Sequence, residues 1–144
     1  MKRQLIPGAV QKRLKAARVG RLATVNLQGQ PYIVPICFVF DGKRIYTAID
    51  RKPKRTTGER LTRVRNIAAT GKVAFVVDEY SEDWQRLWFV LVRGRAELVR
   101  AASERARAIR LLRRKYRQYA EGMLSDEALV IRIEPRSVIG WGKV

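Results

Sequence analysis

Apolar positions recur along this chain with two periods, about 3.6 and 2 residues, and the alternation between them divides it into helices and strands. Residues 7 to 18 set Val10, Leu14 and Ala17 at helical spacing, with Lys12, Arg13 and Lys15 outside, and Gly20 ends that helix. RLATVNL then alternates as a strand, QGQ turns, and PYIVPICFVF reads as a second strand whose Pro35 belongs at a bulge or an edge. Asp41-Gly42 is a hairpin signal leading into RIYTAI, where Ile45, Thr47 and Ile49 share one face of a half-buried strand, Tyr46 takes the other, and Asp50 closes it. A helix from about Thr57 carries Leu61, Val64, Ile67 and Ala68 as its apolar stripe and stops at Thr70-Gly71. KVAFVVDEY is the fourth strand, and LWFVLVRGRAELV the fifth, with Gly94 marking a bend. Residues 102 to 118 form a third helix on Ala102, Ala106, Ile109, Leu112 and Tyr116; ALVIRIEP is the sixth strand, and RSVIGWGKV a tail. The pattern therefore predicts a mainly β (α+β) single domain over residues 1 to 144: a six-stranded antiparallel barrel, in meander order, with about three helices.

The loop DRKPKRTTGE is where chemistry concentrates. Arg51, Lys52, Lys54 and Arg55 surround Pro53, which stiffens the backbone, and Thr56 with Glu59 forms a capping box for the helix that follows. Cationic side chains beside a helix N-terminus can grip a phosphate, although no Walker loop is present. Charge supports the same partner class: 31 Lys and Arg against 13 Asp and Glu give +18, which attracts polyanions, but the cations are spread along the whole chain. Six arginines decorate the 102 to 118 helix, so a non-catalytic module binding nucleic acid or another polyanion is the alternative of another class; no helix-turn-helix, RNP or GXXG pattern accompanies them. Histidine is absent and Cys37 is the sole cysteine, which excludes His/Cys metal sites, Ser-His-Asp triads and internal disulfides. Cys37 sits in an apolar run and reads as packing rather than as a nucleophile. Four of the thirteen acids, Asp78, Glu79, Glu82 and Asp83, make one acidic segment, read as a polar loop. With neither a signal peptide nor an apolar run of spanning length, a soluble cytoplasmic protein is expected.

The ordered stretches GRLATVNLQGQPYIVPICFVFDGKRIYTAIDRKPKR, RLTRVRNIAATGKVAFVVDEY and LWFVLVRGRAELV resemble the pyridoxamine-phosphate-oxidase-like flavin and deazaflavin reductases over nearly the whole chain. DRKPKR and the E-DW insertion are most similar to the branch of coenzyme F(420)-dependent oxidoreductases. The resemblance implies a split β-barrel (the FMN-binding, Greek-key type), a homodimer with the cofactor at the subunit interface, and hydride transfer to or from a small organic substrate. The implied cofactor is coenzyme F(420), with FMN as the alternative. Its phosphate would be held by Lys52, Lys54, Arg60 and Arg63. Ile36, Cys37, Tyr46, Thr47 and Ala48 would line the ring and its ribityl chain mainly through backbone groups, and Trp88 and Trp141 would approach from the other subunit. Two positions depart from the pattern: Arg63 replaces a frequent lysine, and Thr70-Gly71 replaces a frequent Asn-Pro. Arginine can still bind phosphate bidentately. A hydride-carrying cofactor also accommodates a chain without histidine, since the protein then needs only to bind and orient.

Overall fold

In the computed structural model, residues 6–51 and 61–144 are described. They form one antiparallel sheet of seven strands that curls into a half-barrel, in the order β2-β1-β5-β6-β7-β4-β3. In chain order the elements are α1 (Gly8–Ala16), β1 (Gly20–Val25), β2 (Pro31–Ile36), β3 (Val39–Phe40), β4 (Ile45–Ala48), α2 (Thr62–Ala69), β5 (Lys72–Glu79), β6 (Trp88–Leu98), α3 (Ala102–Lys115) and β7 (Val130–Gly142). A 3₁₀ turn spans Trp84–Arg86 and a π-type turn Tyr119–Met123.

The split barrel expected from the sequence is present, with instructive differences. The second strand divides in two: β2 pairs with β1 at one edge of the sheet, while β3 pairs with β4 at the other. Only Cys37 and Phe38 separate them, so this crossing brings the two edges together and makes the seam along which the barrel closes. Pro35 lies in the edge strand β2, where a missing N–H costs no ladder bond. β4 pairs with β7, not with β5, so the strands are not a simple meander. Gly94 marks a register shift between β6 and β7, where its lack of a Cβ lets the Glu134 carbonyl approach. The expected tail continues β7, so that Trp141 stands opposite Phe89.

Two clusters make the core. Inside the curl, Leu22, Phe38, Phe75, Val77, Val90, Ile131 and Ile133 pack with Val10 and Leu14 of α1 and Val64 and Ile67 of α2. The other cluster lies under α3, where Ala108, Ile109 and Leu112 cover Tyr46, Ala48 and Val130. All four residues of β4 are thereby buried, and the half-buried strand expected there has both faces covered. The helices are shorter than the apolar pattern suggests. α2 begins at Thr62 because Leu61 is extended (φ −63°, ψ 140°), while the Thr56–Glu59 pair lies outside the described residues. α3 ends at Lys115 because Tyr116 turns extended and aims its hydroxyl at the seam, accepting from Phe38 N–H at 3.0 Å and standing 2.8 Å from the Arg18 carbonyl.

Candidate functional site

The seam collects the polar groups that the core rejects. Thr47 donates its hydroxyl to the Cys37 carbonyl at 2.7 Å, which pins the β2–β3 crossing to β4. The ladder between β3 and β4 stops at Tyr46, so on that side Thr47 and Ala48 have no strand neighbour among the described residues. Beyond Ala48 the chain reaches Asp50, whose carboxylate accepts a 2.6 Å hydrogen bond from the Tyr119 hydroxyl. Burial, and then this bond, push the Tyr119 phenol well above its usual range, and the Cys37 thiol lies within reach of the same oxygen.

Arg63 comes to this place from α2. Burial lowers the pKa of its guanidinium, and the nearby Tyr32, Asp50 and Tyr119 partly offset that effect. Its Nε is fully buried and has no hydrogen-bond partner among the described residues. A buried donor without an acceptor costs on the order of 1 to 3 kcal/mol, so the arrangement suits an acceptor arriving from outside the chain. A phosphate oxygen fits this donor, and the residues present are therefore compatible with a phosphate-bearing cofactor.

Of the residues singled out in the sequence, the structure brings Cys37, Thr47, Ala48 and Arg63 to the seam. Ile36, Tyr46, Thr47 and Ala48 all have buried side chains, which leaves only their backbone to face a ligand. The Tyr46 hydroxyl is committed to Glu104 at 2.7 Å. Lys52, Lys54 and Arg60 lie outside the described residues. The two tryptophans separate. Trp88 is buried within its own chain, donates Nε1–H to Glu79 at 2.9 Å and is capped by the Arg13 guanidinium 4.5 Å from its ring centre, beside a cavity of about 390 Å³ between α1 and the strands. Trp141 is 51% exposed and stacks on Phe89 at 5.5 Å. Sequence reasoning missed Tyr32, Asp50 and Tyr119 as site residues. Tyr119 lies 69 residues from its partner Asp50, and no local pattern announces such a pairing.

The strand registers place Trp141 on a larger surface. Rows running Pro35–Arg21–Val76–Leu91–Ile139 and Ile33–Ala23–Ala74–Arg93–Ser137 cross five strands on the outer face, flanked by Asp78–Phe89–Trp141. Among the described residues no helix covers these rows, and Ile33 is 64% and Ile139 44% exposed. The acidic segment is tied down at three points: Asp78 pairs with Arg21, Glu79 accepts from Trp88, and Asp83 caps the Gln85 N–H. Among the described residues there is no group of acids and cysteines able to hold a metal ion, and no helix long and apolar enough to cross a membrane.

A single antiparallel sheet curled into a half-barrel, with its two edges brought together at a seam, is the architecture of the small split-barrel proteins. The sequence profile of the pyridoxamine 5'-phosphate oxidase family matches residues 6–142, and the chain belongs to that family. It is 32% identical over 130 residues to the 5a,11a-dehydrotetracycline/5a,11a-dehydrooxytetracycline reductase of Streptomyces rimosus, covering 90% of this chain and 78% of that one. Among solved structures, the conserved hypothetical protein Rv2991 of Mycobacterium tuberculosis superposes with a TM-score of 0.76 at 20% identity, covering 99% of this chain and 91% of that one. A FAD-binding protein of Mesorhizobium loti does so with 0.66 at 28% identity (90% and 89% covered). An F(420) reductase gives 0.65 at 20% identity (93% and 98% covered). Family and relative together place the chain among the oxidoreductases.

Proposed function

We propose that this protein is a reductase that holds coenzyme F(420) at the barrel seam and passes hydride between it and a small, largely planar organic substrate, with FMN as the alternative cofactor. The buried Nε of Arg63, without a hydrogen-bond partner among the described residues, carries this reading, because it asks for an anionic oxygen near Asp50, with which the cationic segment DRKPKR begins. The relative named as a dehydrotetracycline reductase supports reduction as the reaction and a fused-ring compound as the substrate class. The neighbour named as FAD-binding keeps a flavin in contention.

When bound, the ring supplies the hydride itself, so the protein's tasks are grip, orientation and exclusion of water. Arg63, joined by Lys52, Lys54 and Arg60, binds the phosphate. The backbone of Ile36–Cys37 and Tyr46–Ala48 supports the ring, held in place by the Thr47–Cys37 bond and by burial of the side chains behind it. Water is excluded by a second copy of the chain on the uncovered outer face, which brings Trp141 of each subunit toward the other's seam. Titrating apo-protein with coenzyme F(420) and with FMN, read by fluorescence quenching, tests the assignment. Tight, saturable binding of the deazaflavin with weaker FMN binding is expected; binding of neither would end the proposal, and preference for FMN would install the alternative.

A further inference from the structure

This inference rests on Arg63 as a phosphate-binding residue and concerns what keeps it available. Three contacts tie the chain leaving β4 to the segment after α3. Ile49 N–H donates to the Leu129 carbonyl at 2.9 Å, Arg51 N–H donates to the Met123 carbonyl at 2.9 Å, and between them the Tyr119 hydroxyl donates to the Asp50 carboxylate at 2.6 Å. The two backbone bonds already fix the course of the chain. The side-chain bond does something else: it engages one oxygen of a carboxylate.

Asp50 lies close enough to Arg63 for their charges to interact. A carboxylate beside a half-buried guanidinium is its natural partner, and a charge-assisted pair would satisfy the arginine outright. Yet the carboxylate accepts from Tyr119, and Arg63 Nε stays without an acceptor among the described residues. A buried phenol is well suited to hold the carboxylate, since its short hydrogen bond to an anion is strong in a poorly hydrated site.

We propose that Tyr119 is a positioning residue that withholds the Asp50 carboxylate from Arg63, so that the guanidinium stays open to the phosphate of the cofactor. Tyr119→Phe keeps the ring, its packing 5.4 Å from Tyr116 and both backbone contacts, and removes only the hydroxyl. Asp50 then turns to Arg63 and competes with the incoming phosphate.

The test compares ligands that share a ring and differ in the phosphate. Tyr119→Phe should bind FMN and coenzyme F(420) about tenfold more weakly, the scale of one charge-assisted contact, while riboflavin, which lacks the phosphate, keeps its affinity. Adding Asp50→Asn to Tyr119→Phe should restore FMN binding to within about threefold of wild type, because the competitor has lost its charge. Equal losses for FMN and riboflavin, or failure of Asp50→Asn to restore binding, would overturn the inference. Should Tyr119→Phe not fold, Asp50→Asn alone decides the matter: it must bind FMN at least as tightly as wild type, and weaker binding is fatal. A wild-type protein that binds no phosphate-bearing cofactor removes the proposed function and this inference together; one that binds them while Tyr119→Phe and its double variant behave as wild type removes the inference alone.

Discussion

Single residues at the seam carry opposite burdens, and their titration makes that measurable. Arg63 Nε has no acceptor among the described residues, whereas Lys115 is partnered but poorly hydrated: its Nζ donates to the Ala17 carbonyl at 2.6 Å and lies 4.0 Å from the centre of the Phe38 ring. Burial lowers the Lys115 pKa to about 8, and the Arg18 charge adds to the effect. Between about pH 8 and the usual lysine value near 10.5 the unfolded chain therefore holds the proton that the folded chain has shed, and stability from this residue rises with pH. In urea unfolding, the wild type should gain on Lys115→Met between pH 8 and 10; parallel curves for the two would refute this. Arg63 is tested by binding. Loss of one charge-assisted phosphate contact, on the order of 1.5 to 3 kcal/mol, should weaken cofactor affinity roughly ten- to a hundredfold in Arg63→Ala. Exposed Arg110 and Arg114 of α3 should tolerate alanine with little change, because solvent and salt screen them. If the α3 pair mattered as much, the polyanion-binding reading would regain its place. Arg63 was singled out in the sequence only through the family resemblance, by its position on the helix after the cationic loop; Asp50 and Tyr119 were not singled out, because an acid closing a strand and a tyrosine following a helix have ordinary local explanations.

At the scale of elements, the strands were legible and their limits were not. Alternation marks β1, β5 and β6 cleanly because each has one face in the core. The same alternation runs straight through PYIVPICFVF, where the chain changes from one edge of the sheet to the other without any change in burial chemistry: Ile36, Phe38 and Phe40 all point into one core. Only the hydrogen-bond partners change, and these are remote in sequence. Gly94 is the exception, a local signal with a local cause. The Glu134 carbonyl occupies the space a Cβ would need, and backbone cannot yield as a side chain can. Gly94→Ala should therefore destabilise by about 1 to 3 kcal/mol, the usual cost of overpacking, seen as a lower denaturation midpoint with an unchanged m-value. An unaltered midpoint would mean that the bulge can shift freely.

At the scale of the whole molecule, the pattern tells which faces are apolar and leaves open what covers them. The curl covers one face of the sheet, and α3 covers β4. The outer rows leave Ile33, Ile139 and Trp141 exposed at their ends and Ala23, Ala74, Val76 and Leu91 half-buried between them, so apolar side chains run across this face from edge to edge. Arg21 and Asp78 pair on this face and so offset each other, which leaves Arg93 as a further positive charge in the second row, while elsewhere a strong positive excess keeps the chain apart from itself. An isologous dimer through these rows would bury upward of about 1,000 Å², in the range of stable interfaces. Light scattering at micromolar concentration should give twice the chain mass, and Ile33→Glu with Ile139→Glu should give a folded monomer, since each acid would face its neighbours across the two-fold axis. If the seam is completed by the second copy, that monomer should also lose cofactor affinity although neither substitution touches Arg63. A wild-type monomer would end the dimer proposal, and a variant monomer that still binds cofactor with wild-type affinity would show that each seam is complete within one chain.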